Sequence, residues 1–307
     1  CISNAAALSS ELAKQQLIAM RSAVHSLPYS GTLVYQRADV LANLSFQHDL
    51  KNGKEFARLR RLSGQPLERA KQGNQLIKAE PGPDVLRTGY SLPGLLSADP
   101  KRIFDAPYQI TLGEQERVAD RTSQIIFVEA LDGHRHNYQF WVDVETSLLL
   151  KAQTLDVNLE VVEQFEFSEL LVGPQTLKIA ADEIPMQVNV YPIHRPNTVL
   201  QFSPANWLPK GYQLISALPS KSAGRSIYTL VYSDGLGSFS IFLELMDGVN
   251  SPPMHAILGP TVALGKDYSV AKGFLRVTLV GEIPLKTGKT IIDALDVDGL
   301  KRLLGHS

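Results

Sequence analysis

Between Thr122 and Phe167 apolar residues recur at every second position, and turn residues interrupt them every 10–14 residues. Ile125 and Phe127 share one face, and Asp132-Gly133 makes a turn. Tyr138, Phe140, Val142 and Val144 then alternate up to a turn near Glu145-Thr146. A further turn near Asp156-Val157-Asn158 leads into Val161, Phe165 and Phe167. A period of two with regular turns builds an antiparallel meander, because successive side chains of a strand point to opposite faces. Its inner face, extended by Tyr35, is rich in aromatics. Half covered by helices, such a sheet makes either a closed core or a curved, open-sided cup.

The rest of the chain is read around this sheet. Leu8, Leu12, Leu17, Met20, Val24 and Leu27 recur at near-helical spacing, predicting an amphipathic helix over residues 8–27 that ends at Pro28 and Gly31. Short strands are expected around Leu33 and Tyr35, over Leu44 to His48, and through Phe56, Arg58 and Arg60, with a turn at Ser63-Gly64-Gln65-Pro66. Residues 81–107 hold five prolines and three glycines and read as a long irregular segment of the kind that forms lids or binding loops. Residues 171–197 have no sustained period and read as a linker or an inter-domain arm. The 307 residues, 44% hydrophobic and 20% charged, suit about two globular domains rather than a disordered chain. We place them at 1–175 and 198–307, joined by 176–197. The second domain opens with a turn at Trp207-Leu208-Pro209-Lys210-Gly211-Tyr212, continues with strands near 226–233, 238–245 and 274–281, and ends in a helical tail over 286–304.

A net charge of −1 argues against a phosphate-neutralising surface, so no nucleic-acid partner is expected. A single cysteine excludes an internal disulfide framework, and no apolar run reaches membrane-spanning length. Cys1 leaves three readings open: a lipidated first residue, the remnant of a secretory signal with Ala5-Ala6-Ala7 as its cleavage site, or an arbitrary boundary. Two of these place the protein outside the cytoplasm. No nucleophile elbow, phosphate loop, zinc-protease motif or dinucleotide fingerprint occurs, so no catalytic residue, metal or cofactor is assigned. His134 and His136 share a strand face without a third ligand at suggestive spacing, and read as exposed. The pairs Asp143/Glu145 and Asp132/Glu129 flank turns, where solvated carboxylates are common. Arg58, Arg60 and Arg61, with Arg69 and Lys71 nearby, are either a solvated face or forks for a phosphate or carboxylate headgroup. Leu33, Tyr35, Tyr138, Phe140, Val142, Phe165 and Phe167 are either core or the lining of an acyl-chain pocket.

Several segments, in order along nearly the whole chain, resemble the RseB/MucB family of periplasmic regulators of the sigma-E envelope-stress factor. They are Ser30 to Tyr35, Arg60 to Glu68, Arg117 to Arg121, Asp132-Gly133 leading into Phe140 to Thr146, Trp207 to Tyr212, Val231 to Ser240, and Val277 to Pro284. Tyr232-Ser233-Asp234-Gly235-Leu236 is the most specific of them. The resemblance implies an α+β fold: an unclosed antiparallel half β-barrel with helices on one face, like the lipoprotein carriers LolA and LolB, plus a smaller α/β domain. It implies a non-enzymatic protein that binds the periplasmic part of a single-pass anti-sigma factor (of the RseA/MucA kind). Binding would shield that segment from regulated proteolysis. Acyl chains of lipids, lipopolysaccharide or lipoproteins would release the regulator, and a homodimer is left open. Tyr232 and Asp234, placed on the outward alternation, and the nearby Phe239 are candidates for the partner surface. Two features depart from the family: Cys1, in a family that is mostly freely soluble after signal cleavage, and Gly288, which predicts a later start for the terminal helix. A lipid or lipoprotein carrier is the competing reading, and a hydrolase is a third, with no motif to support it.

Overall fold

A computed structural model describes residues 2–51, 53–73, 75–79, 100–174, 204–222, 225–247, 252–270 and 273–304. Cys1, residues 80–99 of the irregular segment, and the linker at 176–197 lie outside the described residues.

The chain opens with helix α1 (Ile2–Ser26), then runs outward through five antiparallel strands: β1 (Tyr29–Arg37), β2 (Val40–Lys51), β3 (Lys54–Arg61), β4 (Glu68–Gln72) and β5 (Gln75–Ala79). After the short α2 (Pro100–Asp105) it returns through β6 (Tyr108–Val118), β7 (Arg121–Ala130), β8 (Asn137–Asp143), β9 (Leu149–Leu155) and β10 (Val161–Val172). Strand β10 pairs with β1, so the two meanders join into one ten-stranded sheet with β5 and β6 at its ends. The sheet is an unclosed half-barrel. Its pairing stacks one apolar face: Tyr35 lies opposite Phe165, Phe165 opposite Ala152, Ala152 opposite Phe140 and Phe140 opposite Ile126. Helix α1 fills the concavity, packing Ala13, Leu17, Met20, Ala23 and Val24 into the same core. Leu8 and Leu12, expected on the buried face, are 63% and 43% exposed. The alanines take their place because a small side chain lets the helix approach the sheet.

The second domain is a six-stranded antiparallel sheet ordered β11-β12-β13-β16-β15-β14. Its strands are β11 (Gln213–Ser222), β12 (Arg225–Ser233), β13 (Ser238–Met246), β14 (Met254–Leu258), β15 (Thr261–Ser269) and β16 (Phe274–Glu282). The expected helical tail is two helices, α3 (Leu285–Asp293) and α4 (Val297–Leu303), the second capped by Asp296 accepting from the Gly299 N–H at 3.0 Å. Helix α3 starts at Leu285 and does not wait for Gly288 to pass. A Cβ on Gly288 would lie 2.7 Å from Leu264, so the glycine marks close helix–sheet packing rather than a helix end.

Gly281 of β16 is a stricter case: an added Cβ would meet Phe239 Cα at 2.4 Å and Ser238 O at 2.6 Å, both belonging to rigid backbone. Gly281→Ala is expected to lower unfolding free energy by about 1–3 kcal/mol through overpacking. Urea denaturation checks it, and an unchanged midpoint would contradict this packing.

Candidate functional site

The hairpin turn joining β12 to β13, residues Asp234 to Gly237, does not point into solvent. Leu236 is part of the first domain's core, packed with residues such as Ile103 and Tyr138. Gly235 adopts φ +105°, and a Cβ there would stand 2.8 Å from the Ile103 N. Left-handed backbone and close approach to α2 both demand glycine at this position. Gly211, in the turn before β11, abuts Ala106 in the same way, at 2.9 Å from its Cα. The Trp207–Tyr212 and Tyr232–Leu236 segments therefore form one junction between the two sheets.

At its centre sits Arg135, from the turn joining β7 to β8, with a fully buried side chain. Its Nη1 donates to Asp234 Oδ2 at 2.6 Å, and its Nη2 donates to Asp132 Oδ2 at 2.8 Å and to Lys210 O at 2.6 Å. Its Nε donates to Asp132 Oδ1 at 3.1 Å, and the guanidinium lies 5.2 Å from the ring centres of both Tyr108 and Tyr212. Asp234 accepts two backbone N–H groups of its own turn, Leu236 at 3.0 Å and Gly237 at 2.9 Å, and the Tyr108 hydroxyl at 3.0 Å. Burial raises the Asp234 carboxyl above its ordinary value, with Arg135 and these donors opposing. Asp132 also feels burial, but the hydrogen bonds from Arg135 and from the His134 N–H outweigh it and hold its carboxyl below the usual range. Burial drives the Tyr108, Tyr138 and Tyr212 hydroxyls well above theirs, keeping them neutral.

A second patch lies where the first domain grips the turn between β14 and β15. Arg37 donates to Leu258 O at 3.3 Å and to the Thr261 hydroxyl, and pairs with Glu163 at 3.7 Å. His136 Nε2 donates to Pro260 O at 2.9 Å. Beside this patch a cleft of about 300 Å³ opens, lined by residues of both domains including Gln36, Val161, Glu163 and Ile257.

The structure distributes the expected site residues unevenly. Leu33, Tyr138, Phe140, Val142, Phe165 and Phe167 are buried in the core beneath α1, and Tyr35 is partly buried, donating its hydroxyl to Glu163. Arg58 pairs with Glu68 of β4, and alternation along β3 sends Arg61 to the face opposite Arg58 and Arg60, so the three do not converge. Tyr232, Asp234 and Phe239 are 1%, 0% and 1% exposed. The expected outward placement of Tyr232 and Asp234 is corrected, and Phe239 is no more accessible to a partner: Tyr232 stacks on Phe239 at 5.0 Å inside the second core, and Asp234 is consumed by Arg135. His134 and His136, expected to be exposed, face the second domain; His134 meets Trp207 edge-on at 5.1 Å and Thr287 Oγ1 at 3.3 Å. Among the described residues no cluster of potential ligands could hold a metal ion. Asp143 is bound bidentately by Arg121 at 3.0 and 2.8 Å, so it too is structural. Sequence reasoning missed Arg135, Tyr108, Tyr212 and Arg37, whose partners across the junction lie far away along the chain.

Removing one member of a buried pair strands the other charge, which typically costs 3–5 kcal/mol. Arg135→Ala is therefore expected to destabilise the chain by about that amount in chemical denaturation, far beyond a surface change. A loss below about 1 kcal/mol would show that Asp234 finds other partners.

Comparison with known proteins places this architecture. Residues 12–188 match the MucB/RseB N-terminal domain and residues 198–296 the MucB/RseB C-terminal domain. The sigma-E factor regulatory protein RseB of Salmonella typhimurium is 32% identical over 291 residues, spanning 90% of this chain and 88% of its own. The sigma factor AlgU regulatory protein MucB of Pseudomonas aeruginosa is 29% identical over 270 residues, spanning 86% and 84%. The solved Pseudomonas aeruginosa MucA/MucB complex superposes with a TM-score of 0.74 at 26% identity, covering 91% of this chain and 96% of that one. With both domain families matched in order, and with relatives similar over nearly their full length, this chain belongs to the MucB/RseB family.

Proposed function

We propose that this chain is a periplasmic negative regulator of an envelope-stress sigma factor. It binds the periplasmic segment of a membrane-spanning anti-sigma factor and shields that segment from proteolysis. The observation that carries this reading is the superposition, across both domains, on a relative solved together with MucA. The reading is of a binding protein and not an enzyme. The charged groups at the centre of the junction, Arg135, Asp132 and Asp234, are spent on one another rather than poised around an open site. A periplasmic location agrees with the family; no helix among the described residues is long and apolar enough to cross a membrane.

The surface feature that suits a polypeptide partner is β14. It ends its sheet, and its outer edge pairs with no other described strand. All five residues are exposed, Met254 by 71% and Ile257 by 58%, and none is charged or proline. Unprotected edges of this kind accept an added strand through main-chain hydrogen bonds. Acyl chains act in this reading as a release signal. The aromatic face they would occupy is filled by α1, so an acyl ligand enters only as α1 moves away from Leu33, Phe140 and Phe165.

Isothermal titration of the full chain with the anti-sigma periplasmic segment tests the proposal, with binding at micromolar Kd or tighter expected. Ile257→Asp is expected to weaken it tenfold or more, roughly 1.4 kcal/mol, without shifting the melting temperature. Absence of binding by the wild type would overturn the function. Equal affinity of the variant would overturn the placement of the partner at β14.

A further inference from the structure

Helix α1 ends against the first sheet at a cluster of two histidines and a glutamate. His48 of β2 is buried, with 3% of its side chain exposed. Its Nδ1 lies 2.8 Å from the carbonyl oxygen of Leu27, the residue after α1, and its Nε2 lies 3.1 Å from Glu55 Oε1 on β3. His25, in the last turn of α1, brings its own Nδ1 to the same Oε1 at 2.7 Å. Strand pairing builds this arrangement: Glu55 stands two residues before Ala57, the cross-strand neighbour of His48, so the two side chains share a face. From β1, Tyr29 lays its ring 5.2 Å from that of His48, and burial keeps its hydroxyl neutral. From β4, Lys71, the cross-strand neighbour of Ala57, adds positive charge to the field at Glu55. Arg21 lies one turn before His25 on α1. Asp49 and Lys54 alternate to the opposite face, Asp49 accepting the Leu50 N–H at 2.8 Å.

The hydrogen bonds from His25 and His48 hold the Glu55 carboxyl well below its ordinary range, against burial. A carbonyl and an ionised carboxylate only accept, so each ring nitrogen of His48 must carry a hydrogen to bond them, whereas a neutral imidazole has one N–H. We propose that His48 is held as an imidazolium, and that with Glu55 it forms a proton-dependent latch fixing the C-terminal end of α1 to the sheet. The cation stands where unsatisfied helix carbonyls and the macrodipole favour positive charge. The sign follows from linkage. The closed latch keeps a proton that a released, solvated histidine gives up above about pH 6.5. Above that value the closed form loses advantage about tenfold for each pH unit. Glu55 sets the acid limit: its contribution is complete above the ordinary carboxyl value of 4.5 and is lost as pH falls below it. The latch is tightest between these limits and loosens with mild alkalinity. Loosening frees the end of α1 at Leu27, while Leu17, Met20 and Val24 keep the body of the helix in the core.

Long-range proton–nitrogen NMR of the full chain at about pH 7.5, where a free histidine is neutral, reads the His48 ring directly and needs no variant. Both ring nitrogens are expected to be protonated there, and a predominantly neutral His48 overturns the proposal. Hydrogen–deuterium exchange between about pH 6.5 and pH 8.5, corrected for intrinsic exchange, follows the latch through the Leu27 amide, which donates to Ala23 O at 2.9 Å. In the wild type its protection is expected to fall about tenfold or more across the range. In Glu55→Gln the side-chain amide can donate to a neutral His48 Nε2, so no extra proton is needed and the profile is expected to be flat. An equal decline in Glu55→Gln, or no decline in the wild type, overturns the latch.

Discussion

The ion pair of Arg135 with Asp234 fixes how the two sheets stand relative to one another. Desolvating a guanidinium and a carboxylate costs several kcal/mol per ion, and only full hydrogen bonding offsets that. Here four of the five guanidinium N–H groups are bonded: Asp132 comes from its own turn, Asp234 and the Lys210 carbonyl from the other domain, and the Tyr108 and Tyr212 rings lie against it. Neither sheet can satisfy these groups alone. Separation would leave Asp234 with only its turn amides, and would pull Leu236 out of the first domain's core. The pair supplies orientation more than net stability, since two well-packed apolar residues could replace it at little cost. Its value is that it permits one arrangement.

Local periodicity carried much of the fold. Alternation from Thr122 to Phe167 is visible because one face is apolar and the other polar, and β7 to β10 follow it closely. Strands without that contrast left no mark. β14 is exposed on every residue, so it has no inner face to betray it, and most of the later residues of β6 are exposed as well. The helix over residues 8–27 was legible, and its buried face in part: Leu17, Met20 and Val24 are buried as expected, while Ala13 and Ala23 pack closely and Leu8 and Leu12 do not.

The junction was invisible for a different reason. Arg135 and Asp234 are 99 residues apart, and Arg37 and Leu258 are 221 apart, separations at which no spacing rule operates. The segment from Tyr232 to Leu236 was recognised as distinctive, and Gly235 as needing positive φ, yet a turn was taken for a surface. Turns are ordinarily solvated; this one is buried by the other domain. Its residues act from inside, by holding the two sheets together.

If Arg135, Asp234 and Leu236 bind the sheets into one body, the two domains must lose structure together. Differential scanning calorimetry of the intact chain measures this. The account predicts one transition whose calorimetric enthalpy equals its van't Hoff enthalpy, although independent unfolding is the ordinary behaviour of two-domain chains. Two resolved transitions in the wild type, or a calorimetric enthalpy about twice the van't Hoff value, would contradict it.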